Sequence, residues 1–252
     1  MSMELKKLIA DSAKVSVYEH GDKCVKVFKE PDEPKSVVFY EALTHTRVEE
    51  TGFEKMPEII GAVKDDGKWA IEYTYIKGKT LDEMMREEPR SEELLGKMAD
   101  LQIEVNALRS GKLSRLKDYL KRSIEGLDII DDVKKYELLT KLSGMEDAAA
   151  VCHGEFLPEN IIVNDKGMFV VDWFKAKQGN PLADAARTYL GFCLRHKTET
   201  AEKYLSIYCE KASADKKKVR EWLPIVAAAQ LKFRRPEERE LLLTWIDVAD
   251  YL

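Results

Sequence analysis

The spacing of apolar residues changes character once along this chain, near Lys77-Gly78-Lys79, and that change limits the folds open to it. Before it, short stretches alternate between apolar and polar residues. Val15-Ser16-Val17-Tyr18-Glu19 and Cys24-Val25-Lys26-Val27-Phe28 both read as strands, joined by the turn-forming His20-Gly21-Asp22-Lys23, which is a hairpin signature. Pro31-Asp32-Glu33-Pro34 breaks the alternation and leads into a helix. There Val37, Tyr40, Glu41, Thr44 and Val48 recur at helical spacing, and Gly52 ends it. Two more strands, 58–63 and 69–76, flank Lys64-Asp65-Asp66-Gly67. The order β-β-α-β-β predicts a small antiparallel sheet carrying one helix.

After the change the pattern is helical from Thr80 to about Gly144, with Leu94, Met98, Leu101, Val105 and Leu108 forming one apolar stripe. A short β insertion follows, with strands 160–163 and 168–171 joined by Asn164-Asp165-Lys166-Gly167. Helices are then expected over 182–195, 199–211, 216–232 and 237–251. The class is α+β in two lobes: residues 1–77, rich in strand, and residues 78–252, mostly helical. A single crossing between two lobes suits a cleft, a common place for a nucleotide.

Length and composition agree with this. The chain has 252 residues, 44% hydrophobic and 35% charged, enough for two lobes and too apolar for disorder. A net charge of −5 leaves no electrostatic footprint for nucleic acid or an anionic membrane surface. The basic clusters Lys216-Lys217-Lys218 and Arg234-Arg235 sit among acidic residues, as solvated helix faces do. Cys24, Cys152, Cys193 and Cys209 form no CxxC pair and no metal-ligand spacing. The segment Met1–Leu8 lacks the apolar core of a signal peptide, and no window reaches the ~20 apolar residues of a membrane span. These features predict a cytoplasmic, reduced protein; they are silent on whether it is a monomer or a homodimer.

The chemistry concentrates in His153-Gly154-Glu155-Phe156-Leu157-Pro158-Glu159-Asn160 and in Val170-Val171-Asp172-Trp173. A carboxylate, an amide and a second carboxylate fall on neighbouring loops, each next to a β-branched run. Hard oxygen donors of this kind suit Mg²⁺ and the phosphates of a nucleotide while a hydroxyl is phosphorylated. Lys26 lies mid-strand and could reach phosphates, with Glu41 on the lone helix as its partner; Lys23, Lys26 and Lys29 would equally make the exposed face of an edge strand. His153 has the pKa range of a general base. Asp184 lies at the start of a helix, where a carboxylate also suits the helix dipole.

These two loops, together with Gly179-Asn180-Pro181-Leu182-Ala183-Asp184-Ala185-Ala186-Arg187, resemble the aminoglycoside phosphotransferase and choline kinase group, small-molecule relatives of the protein kinases. They are most similar to a phosphotransferase-like branch with a CHGDFHPxN loop. The resemblance implies a protein-kinase-like fold and ATP- and Mg²⁺-dependent phosphorylation of a hydroxyl on a small metabolite or an aminoglycoside-like compound. GTP stays open as donor, because the base would be read by backbone around Thr74–Ile76, with Thr74 and Ile76 the residues named for it. Glu155 would orient and deprotonate the hydroxyl, Asn160 and Asp172 would hold Mg²⁺, and Lys26, fixed by Glu41, would hold the phosphates. His153 would brace the loops rather than move protons, and Asp184 would anchor the catalytic loop through backbone hydrogen bonds. The loop between Asp172 and Asp184 is too short for a peptide-docking activation segment, and Asp11-Ser12-Ala13-Lys14 stands where kinases place a Gly-rich loop. Two positions depart from the family: Glu155 replaces its catalytic Asp, and Leu157 replaces the second histidine of HGDxHP. A catalytically silent nucleotide-binding protein is therefore the alternative.

Overall fold

The computed structural model describes residues 7–30, 33–87, 91–233 and 235–247. The Pro31-Asp32 part of the expected break, and the expected end of the last helix at 248–251, lie outside them. The described elements are β1 (Lys7–Asp11), β2 (Val15–His20), β3 (Lys23–Phe28), α1 (Lys35–Glu49), β4 (Ile59–Asp65), β5 (Lys68–Thr74), β6 (Lys79–Thr80), α2 (Leu81–Glu87), α3 (Ser91–Ala107), α4 (Leu116–Glu125), α5 (Asp132–Gly144), β7 (Ala150–Cys152), β8 (Ile161–Asn164), β9 (Gly167–Val170), β10 (Lys177–Gly179), α6 (Pro181–Cys193), α7 (Thr198–Ala212), α8 (Lys216–Arg220), α9 (Leu223–Leu231) and α10 (Pro236–Asp247). The chain divides into two compact units, residues 1–83 with 159–176, and residues 84–158 with 177–252.

In the first unit, five antiparallel strands lie in the order β1-β2-β3-β5-β4. Strand β1 is one more than the four expected; its five residues are all exposed, so no buried face marks it in the sequence. Helix α1 covers the sheet with Val38, Glu41, Thr44, His45 and Val48, a stripe at helical spacing; of the expected stripe, Val37 and Tyr40 instead face outward, each 43% exposed. Phe28, Val38, Ile71 and Tyr73 form the core beneath it, joined by Cys24, Ile59 and Trp69. The β8–β9 hairpin belongs to this unit rather than to the helical part: β6 pairs with β8, the Val170 amide donates to the Lys55 carbonyl, and Trp173 packs on Phe53.

The second unit is helical, with one small β7–β10 ladder. Its core runs through Met98, Val105, Leu138, Phe192, Tyr204 and Ile225. The helix expected over 216–232 is two helices, α8 and α9, because Pro224 opens the second and supplies no N–H to continue the first. Asn180 caps α6, its side chain accepting from the Leu182 amide and donating to the Glu146 carbonyl. Among the described residues no helix is long and apolar enough to cross a membrane.

Candidate active site

In the first unit the placement of Lys26 follows from strand periodicity. Side chains alternate across a strand, so Lys26 shares a face with Cys24 and Phe28, the face that α1 covers. Strand β3 lies between β2 and β5, so Lys26 is on an interior strand and not an edge. Its ammonium sits 2.7 Å from Glu41 Oε1 and 2.7 Å from Asp172 Oδ1, with 12% of the side chain exposed. Burial works against that charge, but the carboxylates of Asp172 and Glu41 outweigh it and hold Lys26 protonated above its ordinary range. Burial also lifts the Glu41 carboxyl, against the pull of Lys26. The Tyr73 hydroxyl donates to Glu41 Oε1 at 3.4 Å.

The hairpin places the other two residues. In its register Ile161 faces Val170, and the Val171 amide donates to the Asn160 carbonyl at 3.0 Å. Asn160 and Asp172 therefore stand at the same open end, one just before β8 and one just after β9. Asp172 has φ 66° and ψ 59°, a left-handed conformation that non-glycine residues adopt rarely and that recurs at functional sites. Trp173 holds it there: its indole donates to the Val170 carbonyl at 3.0 Å and its ring packs edge-on against Phe53. Hard oxygen donors from one amide and one carboxylate fit Mg²⁺, which keeps waters and shares its shell with phosphates rather than sitting in a full protein cage. Among the described residues no three His, Cys, Asp or Glu side chains group to hold a metal. Thr74 ends β5 with its amide and hydroxyl committed to Glu58, and Ile76 follows in the irregular chain before β6.

In the second unit Glu155 sits on a loop built around a buried carboxylate. Asp184, 2% exposed, accepts from the amides of Gly154 at 2.8 Å and His153 at 3.2 Å. The side chains of Gln102 and Asn106 donate to it as well, each at 3.2 Å. Asn106 also donates to the Val151 carbonyl, and the hydroxyls of Tyr204 and Tyr208 donate to Gln102 and Asn106 in turn. Three helices thus each contribute a pair one turn apart: Gln102 and Asn106, Asp184 and Thr188, Tyr204 and Tyr208. Gly154, at φ 80°, makes the turn that brings its amide round. His153 is fully buried; its Nδ1 accepts from the Glu155 amide at 3.3 Å, and Phe156 packs edge-on against the ring. Leu157 is also fully buried, in a notch that exists because residue 191 is glycine.

Several of these residues carried no motif. Gln102 and Asn106 sit one position beyond the apolar stripe at Leu101 and Val105; polar residues one turn apart beside a buried face were the only available signal. Arg187 ends the matched segment, and its Nη2 lies 3.6 Å from Glu155 Oε1 and 2.8 Å from Gln230 Oε1.

The class these features define is the protein-kinase-like fold, with a five-stranded antiparallel N-terminal sheet and a helical C-terminal part. The model of the phosphotransferase enzyme family (APH) matches residues 10–222, and the chain belongs to that family. Comparison with curated proteins finds no match. Among solved structures, the chain is similar to a thermostable mutant of the aminoglycoside phosphotransferase APH(4)-Ia, in ternary complex with AMP-PNP and hygromycin B. That likeness has 13% identity and a TM-score of 0.69, and covers 98% of this chain and 91% of that one. It is likewise similar to the choline kinase LicA from Streptococcus pneumoniae (14% identity, TM-score 0.64, coverage 99% and 93%). A third is the amicoumacin kinase hAmiN, in complex with AMP-PNP, Ca²⁺ and Ami (13% identity, TM-score 0.66, coverage 97% and 87%). The comparisons give no support to the catalytically silent alternative.

Proposed function

We propose that this protein transfers the γ-phosphate of ATP to a hydroxyl of a small molecule, with Mg²⁺. The observation that carries this reading is Lys26 held between Glu41 and Asp172, each at 2.7 Å, with Asn160 beside Asp172 across the hairpin. Lys26, held protonated above its ordinary range, takes α- and β-phosphate oxygens in exchange for its contact with Asp172. Asp172, once released, and Asn160 supply oxygen ligands to Mg²⁺, which neutralises charge on the phosphates when bound. Thr74 and Ile76 flank the backbone that receives the base. Glu155 accepts the proton of the attacking hydroxyl, and His153 and Asp184 fix the loop that carries it.

Two measurements test this. Mg²⁺-ATP at about 100-fold its Kd adds about 2.7 kcal/mol to the folded state, so the melting temperature of the full chain rises by several degrees. Asp172→Asn removes most of that rise. Single-turnover ADP formation with an accepted alcohol falls on the order of 100-fold or more in Glu155→Ala, as general-base loss requires. A wild type that Mg²⁺-ATP leaves unshifted, or a Glu155→Ala variant of unchanged rate, overturns the corresponding part.

A further inference from the structure

Beside Glu155 the second unit sets a largely buried cation, Arg187, that phosphate transfer does not use. Arg187 of α6 has 13% of its side chain exposed, and its Nη2 serves both Glu155 and Gln230. Its Nη1 is buried and makes no hydrogen bond among the described residues. Lys177 of β10 and Lys232, just past α9, lie 5.4 Å and 5.3 Å from the centre of the Tyr119 ring on α4. Tyr119 and Arg195 are both near enough to Arg187 to act on its charge. The carboxylates that act on Arg187 are those of Glu155 and Glu238, and Glu238 is already engaged by Gln230 Nε2 at 2.6 Å and Arg235 Nη1 at 2.9 Å.

This balance selects among acceptors. A polycationic compound such as an aminoglycoside would bring like charge against Arg187 and Lys232. An oxyanion meets the partner that suits it, since a guanidinium presents paired donors to carboxylate or phosphate. The uncommitted Nη1 points the same way: a buried donor with no acceptor calls for an explanation, and a turn of the guanidinium toward a bound oxyanion supplies one.

We propose that the phosphate acceptor is an alcohol bearing an anionic group, carboxylate or phosphate, which Arg187 binds with Lys232 at the rim while the hydroxyl lies at Glu155. This rests on the reading of Glu155 as the residue that receives the acceptor hydroxyl. The test uses the full chain with Mg²⁺-ATP and a panel of equal concentrations. D-glycerate and 4-hydroxybutyrate represent carboxylates, glycerol 3-phosphate and ribose 5-phosphate represent phosphates, glycerol and ribose are neutral, and choline and kanamycin are cationic. ADP release and melting temperature are read for each. At least one anionic alcohol is expected to be turned over or to raise the melting temperature, and which pair responds identifies the oxyanion. Arg187→Gln then raises the KM for it roughly 10- to 100-fold, with a smaller change in kcat and no change in the Mg²⁺-ATP shift. Lys232→Glu, an exposed change that does not threaten folding, raises the KM several-fold. Turnover of choline or kanamycin in preference to every anionic member overturns the proposal. So does an anionic acceptor whose KM both variants leave unchanged, or silence of all anionic members while Mg²⁺-ATP still binds. Failure of Mg²⁺-ATP to shift the wild type strikes the phosphotransfer reading instead. The present proposal then stands or falls on melting shifts by the anions, which Arg187→Gln must remove.

Discussion

Lys26 is the residue on which the proposed phosphate half of the site turns. Two carboxylates share one ammonium, and Glu41 has only 9% of its side chain exposed, so the pair is buried. Breaking a buried pair by removing one partner leaves an uncompensated charge and costs about 3–5 kcal/mol. Lys26→Met keeps the apolar stem and removes the charge, so its urea midpoint at pH 8 is expected to fall by that order. The pH dependence has a definite sign. In the wild type Lys26 is raised above its ordinary 10.5, so its contribution is fully present below that pH and is lost only as pH rises through the raised value. In the variant Glu41 loses the cation that opposed its upward shift, so the folded state binds a proton more readily than the unfolded chain. Stability of Lys26→Met therefore recovers as pH falls, and its deficit is smaller at pH 5 than at pH 8. A deficit that is equal at the two pH values contradicts this account of the pair.

At the scale of elements, the β8–β9 hairpin sets the geometry of Asn160 and Asp172, and β6 sets the hairpin. Residue 78 precedes β6 and is glycine because there is no room for more: a Cβ there would meet the Val163 carbonyl oxygen and lie 2.8 Å from Ile162 Cγ2. The first obstacle is backbone, so it cannot yield by a rotamer change. Gly78→Ala is expected to cost about 1–3 kcal/mol and to speed amide exchange across 161–164. Gly191 is the contrast, since its added Cβ would meet only the tip of Leu157 at 2.7 Å. Alanine there is expected to cost less in denaturant melts, because a flexible leucine can move. Helix α6 shows a different balance, with Asn180 capping it and Pro181 opening it as their local chemistry favours.

For the molecule as a whole, Asp184 joins α3 and the His153–Glu155 loop to α6 through one carboxylate, and α7 joins at one remove, through Tyr204 and Tyr208 on Gln102 and Asn106. Removing it takes an acceptor from four donors; Gln102 and Asn106 keep Thr188 and the Val151 carbonyl, whereas the His153 and Gly154 amides are left unsatisfied, at about 1–3 kcal/mol each with incomplete additivity. Asp184→Ala is expected to lose at least about 3 kcal/mol in chemical denaturation, and the His153 and Gly154 amides to exchange faster than the rest of the loop. Asp184→Asn, which keeps one acceptor oxygen, should lose less. Uniform exchange in Asp184→Ala would show that the carboxylate does not anchor that loop.

The alternation of β2 to β5, the stripe of α1, the change to helical spacing after Gly78 and the loop motifs all lie in local sequence, because strand and helix periods and turn residues are properties of short segments. From the periods came the α+β class; the choice of Lys26, Glu41, Asn160, Asp172 and Asp184 came from the loop motifs and the family they resemble. What depends on distant segments meeting was not legible. Strand β1 has no buried face to mark it, the grouping of residues 159–176 with the sheet follows from a two-residue strand, and the pairing of Gln102 and Asn106 with Asp184 spans about eighty residues. Arg187 could be read from the chain as the end of a motif. Only the folded chain sets it against Glu155 and Gln230, because a buried charge takes its meaning from the groups that packing brings beside it.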